Sequence, residues 1–223
     1  MSKVILKENE RLEDLQYNNL SIIQDKTGYC FTSDSVDLAN FAKVKKGGIL
    51  VDLCSGSGVV GILTLNKNQA KLCHLVELQP RLLDMSKRSI EYNNQQNLFI
   101  FHNKKLQGIH KDIGSGFADT VTVNPPYMTT NNQLLSESVE INTAKFEIEV
   151  SLKEVITEAS KLLKFGGKLY MVHKEERLCD IVCFCRENNL EVKTIKIKKG
   201  RASNIVLVEA TKGGKVGCRI VCD

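Results

Sequence analysis

The feature that most constrains the fold is the run Ile49-Leu50-Val51-Asp52-Leu53, which feeds directly into Gly56-Ser57-Gly58-Val59-Val60-Gly61. A nearly unbroken apolar strand is typical of a parallel sheet covered on both faces. The glycines of a G-x-G-x-x-G turn let backbone approach a ligand closely before a helix begins through Ile62, Leu63 and Leu65. A second apolar strand, Leu72 to Glu77, ends in an acid 21 residues beyond Gly56. In sheets of this kind that position holds a pair of ribose hydroxyls. Strand, glycine turn and acid together favour an adenosine-containing cofactor over a purely structural turn.

The remainder of the chain alternates in the same way. Val36, Leu38, Ala39 and Phe41 form a short helix with Ser33 or Asp34 as its N-cap. Pro80 opens a helix whose inward positions are Leu82, Leu83, Met85, Ser89 and Ile90. Residues 97–101 and 118–123 read as the third and fourth strands, with at most a short helix between them. Ser151-Leu152-Lys153-Glu154 is a capping box, Phe165-Gly166-Gly167 a helix terminator, and Lys168 to Val172 a fifth strand. After a helix over 175–187, residues 190–198, 203–210 and 216–222 close the sheet. The first two of these form an antiparallel hairpin through Lys199-Gly200-Arg201-Ala202, and a change of apolar parity near Thr194 predicts a bulge. Residues 1–27 are polar, interrupted by Asn18-Asn19, and read as an extension before a single domain spanning 28–223. The expectation is a doubly wound, mostly parallel seven-stranded α/β sheet with a C-terminal antiparallel hairpin.

Composition narrows the function classes. Eight cysteines lack any C-x2-C pair, so zinc is not expected, and no apolar opening segment precedes them, which points to reduced thiols in the cytoplasm. No apolar run approaches the ~20 residues of a membrane span. The net charge of +5 in 223 residues is modest, and a monomer is the default.

Chemistry concentrates in Asn124-Pro125-Pro126-Tyr127, directly after the fourth strand. Two prolines stop a strand, since neither donates a ladder hydrogen bond. The carboxyl end of that strand therefore presents a side-chain amide, exposed carbonyls and an aromatic ring where open α/β sheets bind ligands. That set suits a planar amine or amide: Asn124 and a proline carbonyl accept its two hydrogens, and Tyr127 stacks on it. The plainer reading of the same run is a strand-ending turn. Beyond Met128, about twenty residues without periodicity read as a substrate-covering loop.

These motifs, with Thr27-Gly28-Tyr29-Cys30-Phe31-Thr32-Ser33-Asp34, Lys145-Phe146-Glu147 and Arg201-Ala202-Ser203-Asn204-Ile205, resemble the bacterial tRNA(Val) adenine-N6 methyltransferases. Those are class I, Rossmann-like, S-adenosylmethionine-dependent enzymes that modify the adenosine on the 3′ side of the anticodon. The resemblance implies that Asp52, Gly56 and Gly58 line the cofactor pocket, that Glu77 receives the ribose hydroxyls, and that Phe31 and Asp34 fold over the cofactor. It also implies that Asn124, Pro125, Pro126 and Tyr127 carry the transfer, with tRNA as partner. Each acid has a plainer role open to it: Asp52 capping loop amides, Glu77 a solvated strand end, Asp34 a helix cap. Where the resembling enzymes have an acid after the third strand, this chain has His102-Asn103-Lys104, which leaves Asn103 or backbone to meet the adenine. Lys145 matches a charged position of the family.

Lys198, Lys199 and Arg201 lie in an acid-free stretch and are candidate RNA contacts, or lysines that guard a sheet edge. The rival functions are a glutamine-directed protein methyltransferase using the same Asn124 set, and a non-catalytic RNA-binding protein.

Overall fold

The structure, a computed structural model, describes residues 5–27, 30–125, 151–199 and 204–222. Its centre is an eight-stranded sheet. Strand β3 (Ile49–Leu53) is flanked by β4 (Leu72–Glu77) and then β5 (Phe99–Asn103) on one side. On the other side lie β6 (Ala118–Val123), β7 (Leu163–Lys174), β9 (Ile205–Lys212), β8 (Leu190–Lys198) and β10 (Arg219–Cys222). The five strands from β5 to β7 run parallel, and β9 pairs antiparallel with both β7 and β8. The connection after β3 leads outward to β4, whereas β6 lies on its opposite side. The order thus reverses between β3 and β6, and a crevice opens beyond their carboxyl ends.

Alternation along β3 explains the layering. Leu50 belongs to one apolar core with helices α1 (Ser33–Phe41), α2 (Val59–Asn68) and α3 (Pro80–Tyr92), while Val51 and Leu53 belong to another. The second core is closed by α4 (Ile109–Ile113), α5 (Leu152–Leu162) and α6 (Leu178–Glu187). The capping box at Ser151 and Glu154 is formed, with Ser151 Oγ accepting from the Glu154 amide. The expected bulge lies between Val192 and Thr194.

Several details depart from the pattern read in the sequence. The sheet holds eight strands where seven were expected, the strand read at 216–222 being present as β10, parallel to β8. Gly166-Gly167 does not end a helix: α5 stops at Leu162 and β7 runs through both glycines, its register against β6 slipping between Ala118 and Thr120. Glycine inside a strand marks such irregularities. Thr32, not Ser33 or Asp34, occupies the α1 N-cap position, and it makes no side-chain cap bond.

Residues 10–25 of the stretch read as an extension form an antiparallel hairpin, β1 (Glu10–Asp14) and β2 (Ser21–Asp25). Asn18 and Asn19 make its turn in the left-handed region (φ 49° and 57°). Helix α3 serves the hairpin as a third strand would. Ser89 Oγ accepts from the Ile23 amide at 2.9 Å, and Asn93 exchanges two bonds with the backbone of Ser21. Arg88 clamps Glu10 through two bonds of 2.6 and 2.7 Å. Among the described residues no helix is long and apolar enough to cross a membrane.

Candidate active site

The chain leaves β3 through Cys54, Gly56 and Gly58, all left-handed (φ 54°, 55° and 90°), and so turns sharply into α2. A Cβ at Gly61 would lie 2.5 Å from Leu75 Cδ2, so this third glycine lets α2 settle directly on β4. Asp52 lies beneath the loop, 1% exposed. Its Oδ2 accepts from the Gly61 amide at 2.9 Å and its Oδ1 from the Thr122 hydroxyl at 2.7 Å. Burial pushes its pKa up to about 7 against the pull of those two donors. Asp52 thereby ties β3, α2 and β6 together across the switch point, behind the cleft wall.

Glu77 ends β4 beside the same loop. Its two oxygens accept from the amides of Gly56 and Gln79, each at 2.8 Å. Burial raises its pKa, opposed by the amides of Gln79, Gly56 and Leu78. Asn103 braces this strand end from β5, donating to the carbonyls of Glu77 and Leu78 at 3.0 and 2.9 Å. Lys104, in the place of the usual acid, pairs with Asp112 at 2.9 Å.

Across the crevice, Asn124 follows β6 and donates its amide nitrogen to Ser35 Oγ of α1 at 2.9 Å. The bond engages the amide nitrogen, so the carbonyl oxygen is the part of the group that can accept from a ligand. One cleft brings Phe31, Ser35, Ser55, Gly56, Ser57 and Asn124 together. Of the predicted residues, then, Phe31, Gly56 and Asn124 line the cleft. Gly58, Asp52 and Glu77 shape its loop, and Asn103 supports the strand beside it. Asp34 sits in the first turn of α1 next to Ser33 Oγ (3.4 Å) and does not line the cleft. Lys198 is paired with Asp37 of α1 at 2.5 Å, and Lys199 is exposed. Pro126, Tyr127, Lys145 and Arg201 lie outside the described residues, as does the stretch read as a covering loop.

Sequence reasoning passed over four contributors. Gln24 of β2 is fully buried; its Nε2 donates to Ser57 Oγ at 2.7 Å and its Oε1 accepts from the Phe31 amide at 3.0 Å. One side chain thus fixes both the glycine-rich loop and the segment carrying Phe31. Its signal was an amide standing next to Ile22-Ile23. Asp25 accepts from Thr27 and from Arg81, which leads away from Glu77 at the start of α3. Burial would raise its carboxyl, but Arg81 and Thr27 outweigh that and hold it at about 2. Ser35 has no signal beyond its place in the first helical turn. Ser55 Oγ is buried with no hydrogen-bond partner among the described residues, and a polar group on a ligand in the cleft would satisfy it.

A release factor glutamine methyltransferase of Bifidobacterium longum is 25% identical to this chain over 175 residues, 69% of this chain and 58% of that protein. A tRNA1(Val) (adenine(37)-N6)-methyltransferase of Dyadobacter fermentans is 20% identical over 154 residues, 69% of this chain and 62% of that protein. The chain thus spans less than two thirds of the length of either relative. Among solved structures, TYW2 of M. jannaschii in complex with AdoMet is similar in fold, with a TM-score of 0.64 at 14% identity over 94% of this chain and 88% of that one. Since the methyltransferase small domain family matches residues 31–183, well over half of the sequence, the chain belongs to that family, whose methyl donor is S-adenosylmethionine.

Proposed function

We propose that the protein methylates the exocyclic N6 of an adenosine in tRNA, the one 3′ of the anticodon of tRNA(Val), within a domain spanning residues 28–223. The observation that carries this reading is the bond between Asn124 Nδ2 and Ser35 Oγ at 2.9 Å. It presents the Asn124 carbonyl oxygen as an acceptor at the carboxyl edge of β6, beside the glycine-rich loop. The cleft residues suit S-adenosylmethionine: Ser55 offers an unpartnered hydroxyl, Glu77 an oriented carboxylate for ribose hydroxyls, and Phe31 an aromatic surface. When bound, that cofactor supplies an electrophilic methyl on a sulfonium, whose positive charge a carboxylate at Glu77 favours.

The amino lone pair of adenine is delocalised into its ring. Asn124 Oδ1 and the Pro125 carbonyl accept the two N–H bonds and leave that lone pair facing the donor. Tyr127 stacks on the base once it is out of its helix or loop stack. The residues contribute chiefly placement, and the cationic nitrogen then gives its extra proton to solvent water. Lys145, Lys198, Lys199 and Arg201 contribute charge toward the RNA, Lys198 partly offset by Asp37. Nucleoside mass spectrometry of tRNA incubated with enzyme and cofactor tests the reading: N6-methyladenosine is expected, and its absence overturns it.

The likeness to the Bifidobacterium longum protein favours a second reading, transfer to a glutamine side-chain amide of a protein. The same Asn124 and Pro125 acceptors suit that amide. Radiolabelled transfer to release-factor protein against tRNA separates the two.

A further inference from the structure

Strand β7 lies directly beside β6, whose end carries Asn124. In that pairing Met171 is opposite Val123, so Asn124 stands level with Val172, and Lys174 lies one side-chain repeat further toward the carboxyl edge. Side chains alternate along a strand, and those of Tyr170 and Val172 enter the core built with α1. Lys174 is therefore directed to the α1 side, as Asn124 is by its bond to Ser35. With ~4.8 Å between strands and ~6.6 Å for two residues along one, the Cα atoms of Lys174 and Asn124 are ~8 Å apart. A lysine stem covers most of that distance.

The backbone there is fixed and the ammonium is not. Lys174 is half-buried, its amide donates to His173 Nδ1 at 2.9 Å, and its strand is paired with β9 at Ile205. A packed stem with its charged head in water is how lysine covers apolar surface. The acids nearby are turned elsewhere. Glu175 accepts from Asn204 Nδ2 at 2.8 Å, Asp180 from Arg177 at 2.8 Å and Asp37 from Lys198, while Asp34 lies beside Ser33 Oγ. Glu176 stands in the turn that carries the chain over the sheet edge to α6, on the opposite face. Among the described residues no ion pair engages Lys174.

We propose that Lys174 grips a phosphate flanking the nucleotide whose base enters the Asn124 cleft; the inference rests on the RNA reading of that site. A nucleotide turned out of its stack pivots about its own backbone, so its phosphates stay at the mouth of the pocket. Phosphate contacts set register while the base is read elsewhere. One charge a side chain's length from the methyl acceptor thereby sets how deep the base enters. It also sorts substrates, since a glutamine side chain brings no phosphate to this point and gains nothing from Lys174. Lysines often guard a sheet against edge pairing, but β7 is an interior strand, paired on its two sides with β6 and β9, and has no edge to guard.

The test compares wild type, Lys174→Ala, Lys174→Arg and a control, Lys111→Ala on α4, in binding unfractionated tRNA across a salt series, with S-adenosylmethionine titration monitoring folding. Removing one phosphate contact flattens log affinity against log salt by about 0.7–0.9. Lys174→Ala is expected to flatten the line by that amount and to lose several-fold in low-salt affinity and in kcat, while Lys174→Arg and Lys111→Ala keep the wild-type slope. A synthetic tRNA(Val) anticodon stem-loop with an uncharged methylphosphonate on one side or the other of the target adenosine locates the contact. One of the two RNAs should bind wild type several-fold more weakly and Lys174→Ala no more weakly than the unmodified RNA does, because both changes remove the same pair. Losses that add overturn the contact, as does a Lys174→Ala slope equal to that of wild type, or a Lys174→Arg that restores nothing. Any of these, with wild type still forming N6-methyladenosine in tRNA, leaves the site reading intact. Wild type that methylates a release-factor glutamine and no RNA overturns the site reading and the contact with it. Should Lys174→Ala fail to fold, Lys174→Met keeps the stem and carries the same comparison.

Discussion

The two hairpins flank the cleft from opposite sides and are built on opposite terms. The N-terminal hairpin buries its polar groups and satisfies each within the fold: Glu10 by Arg88, Gln24 by Ser57 and Phe31, Asp25 by Arg81 and Thr27. It supports the donor side, the glycine-rich loop and Phe31. The C-terminal hairpin buries one face under α6 and leaves lysines on the other. Its tie to the cleft joins the apolar contact of Ile205 and Leu207 with the α1 core to an ion pair from Lys198 to Asp37, on the helix whose Ser35 holds Asn124. A buried amide network holds its loop rigidly, which suits a small cofactor. An open, charged face is instead the kind of surface that suits a large polyanion such as the proposed RNA.

The sharpest way to separate the two sides is Asn124→Ala. In the proposed reaction Asn124 faces the acceptor, so methyl transfer is expected to fall at least ~10²-fold, the scale for one well-placed polar group at a reacting centre. S-adenosylmethionine affinity should stay within a few-fold by isothermal titration. A variant keeping more than about a tenth of wild-type activity, well short of that scale, would remove Asn124 from the chemistry. On the donor side, Glu77→Ala should weaken S-adenosylmethionine binding by about 1.5–3 kcal/mol, typical of hydrogen bonds to a charged acceptor. An unchanged dissociation constant would leave Glu77 as a support for the loop amides only.

The places of these two residues at the ends of β4 and β6 were legible because their signals are local. An apolar strand, a glycine turn, an acid at a fixed distance and a proline-stopped strand can be read within a few residues of one another, as can the parity change at Thr194. The N-terminal hairpin was not legible because its logic is long-range. Glu10, Gln24 and Asp25 look like surface residues, yet their partners lie 78, 33 and 56 positions away. Gly166-Gly167 misled for a related reason: locally it resembles a helix stop, and only pairing with β6 shows it to be an irregularity within a strand.

Gln24→Leu tests whether the N-terminal hairpin matters to the cofactor or only to packing. The substitution leaves Ser57 Oγ and the Phe31 amide without their partner, a loss of about 1–3 kcal/mol in stability for buried groups. Urea unfolding should register that loss, and cofactor affinity should drop several-fold while tRNA affinity holds. Lower stability with unchanged cofactor affinity would reduce the hairpin to a buttress.

The smallest expected effect is one of pH, and it sets two buried carboxylates of the donor side against each other. Asp25 is held at about 2 in the fold, below the ordinary 3.8, because Arg81 and Thr27 outweigh its burial. The stability it contributes is present above about pH 4 and is lost as pH falls toward 2. Asp52 is pushed up from 3.8 to about 7 by burial, so its contribution has the opposite sign, complete below about pH 4 and lost as pH rises through 7. Amide hydrogen exchange resolves the two locally, the Ile23 amide reporting on the hairpin and the Gly61 amide on the loop. Between pH 4 and 7, Gly61 should open more readily as pH rises, after correction for intrinsic exchange, while Ile23 holds. Below pH 4 the hairpin should loosen first, and Asp25→Asn should reduce that acid response, the remainder belonging to Glu10, whose carboxyl, against its burial, Arg88 and the Lys7 amide hold below the ordinary value. Parallel behaviour of the two amides would mean that global unfolding, and not these two carboxylates, governs opening on the donor side.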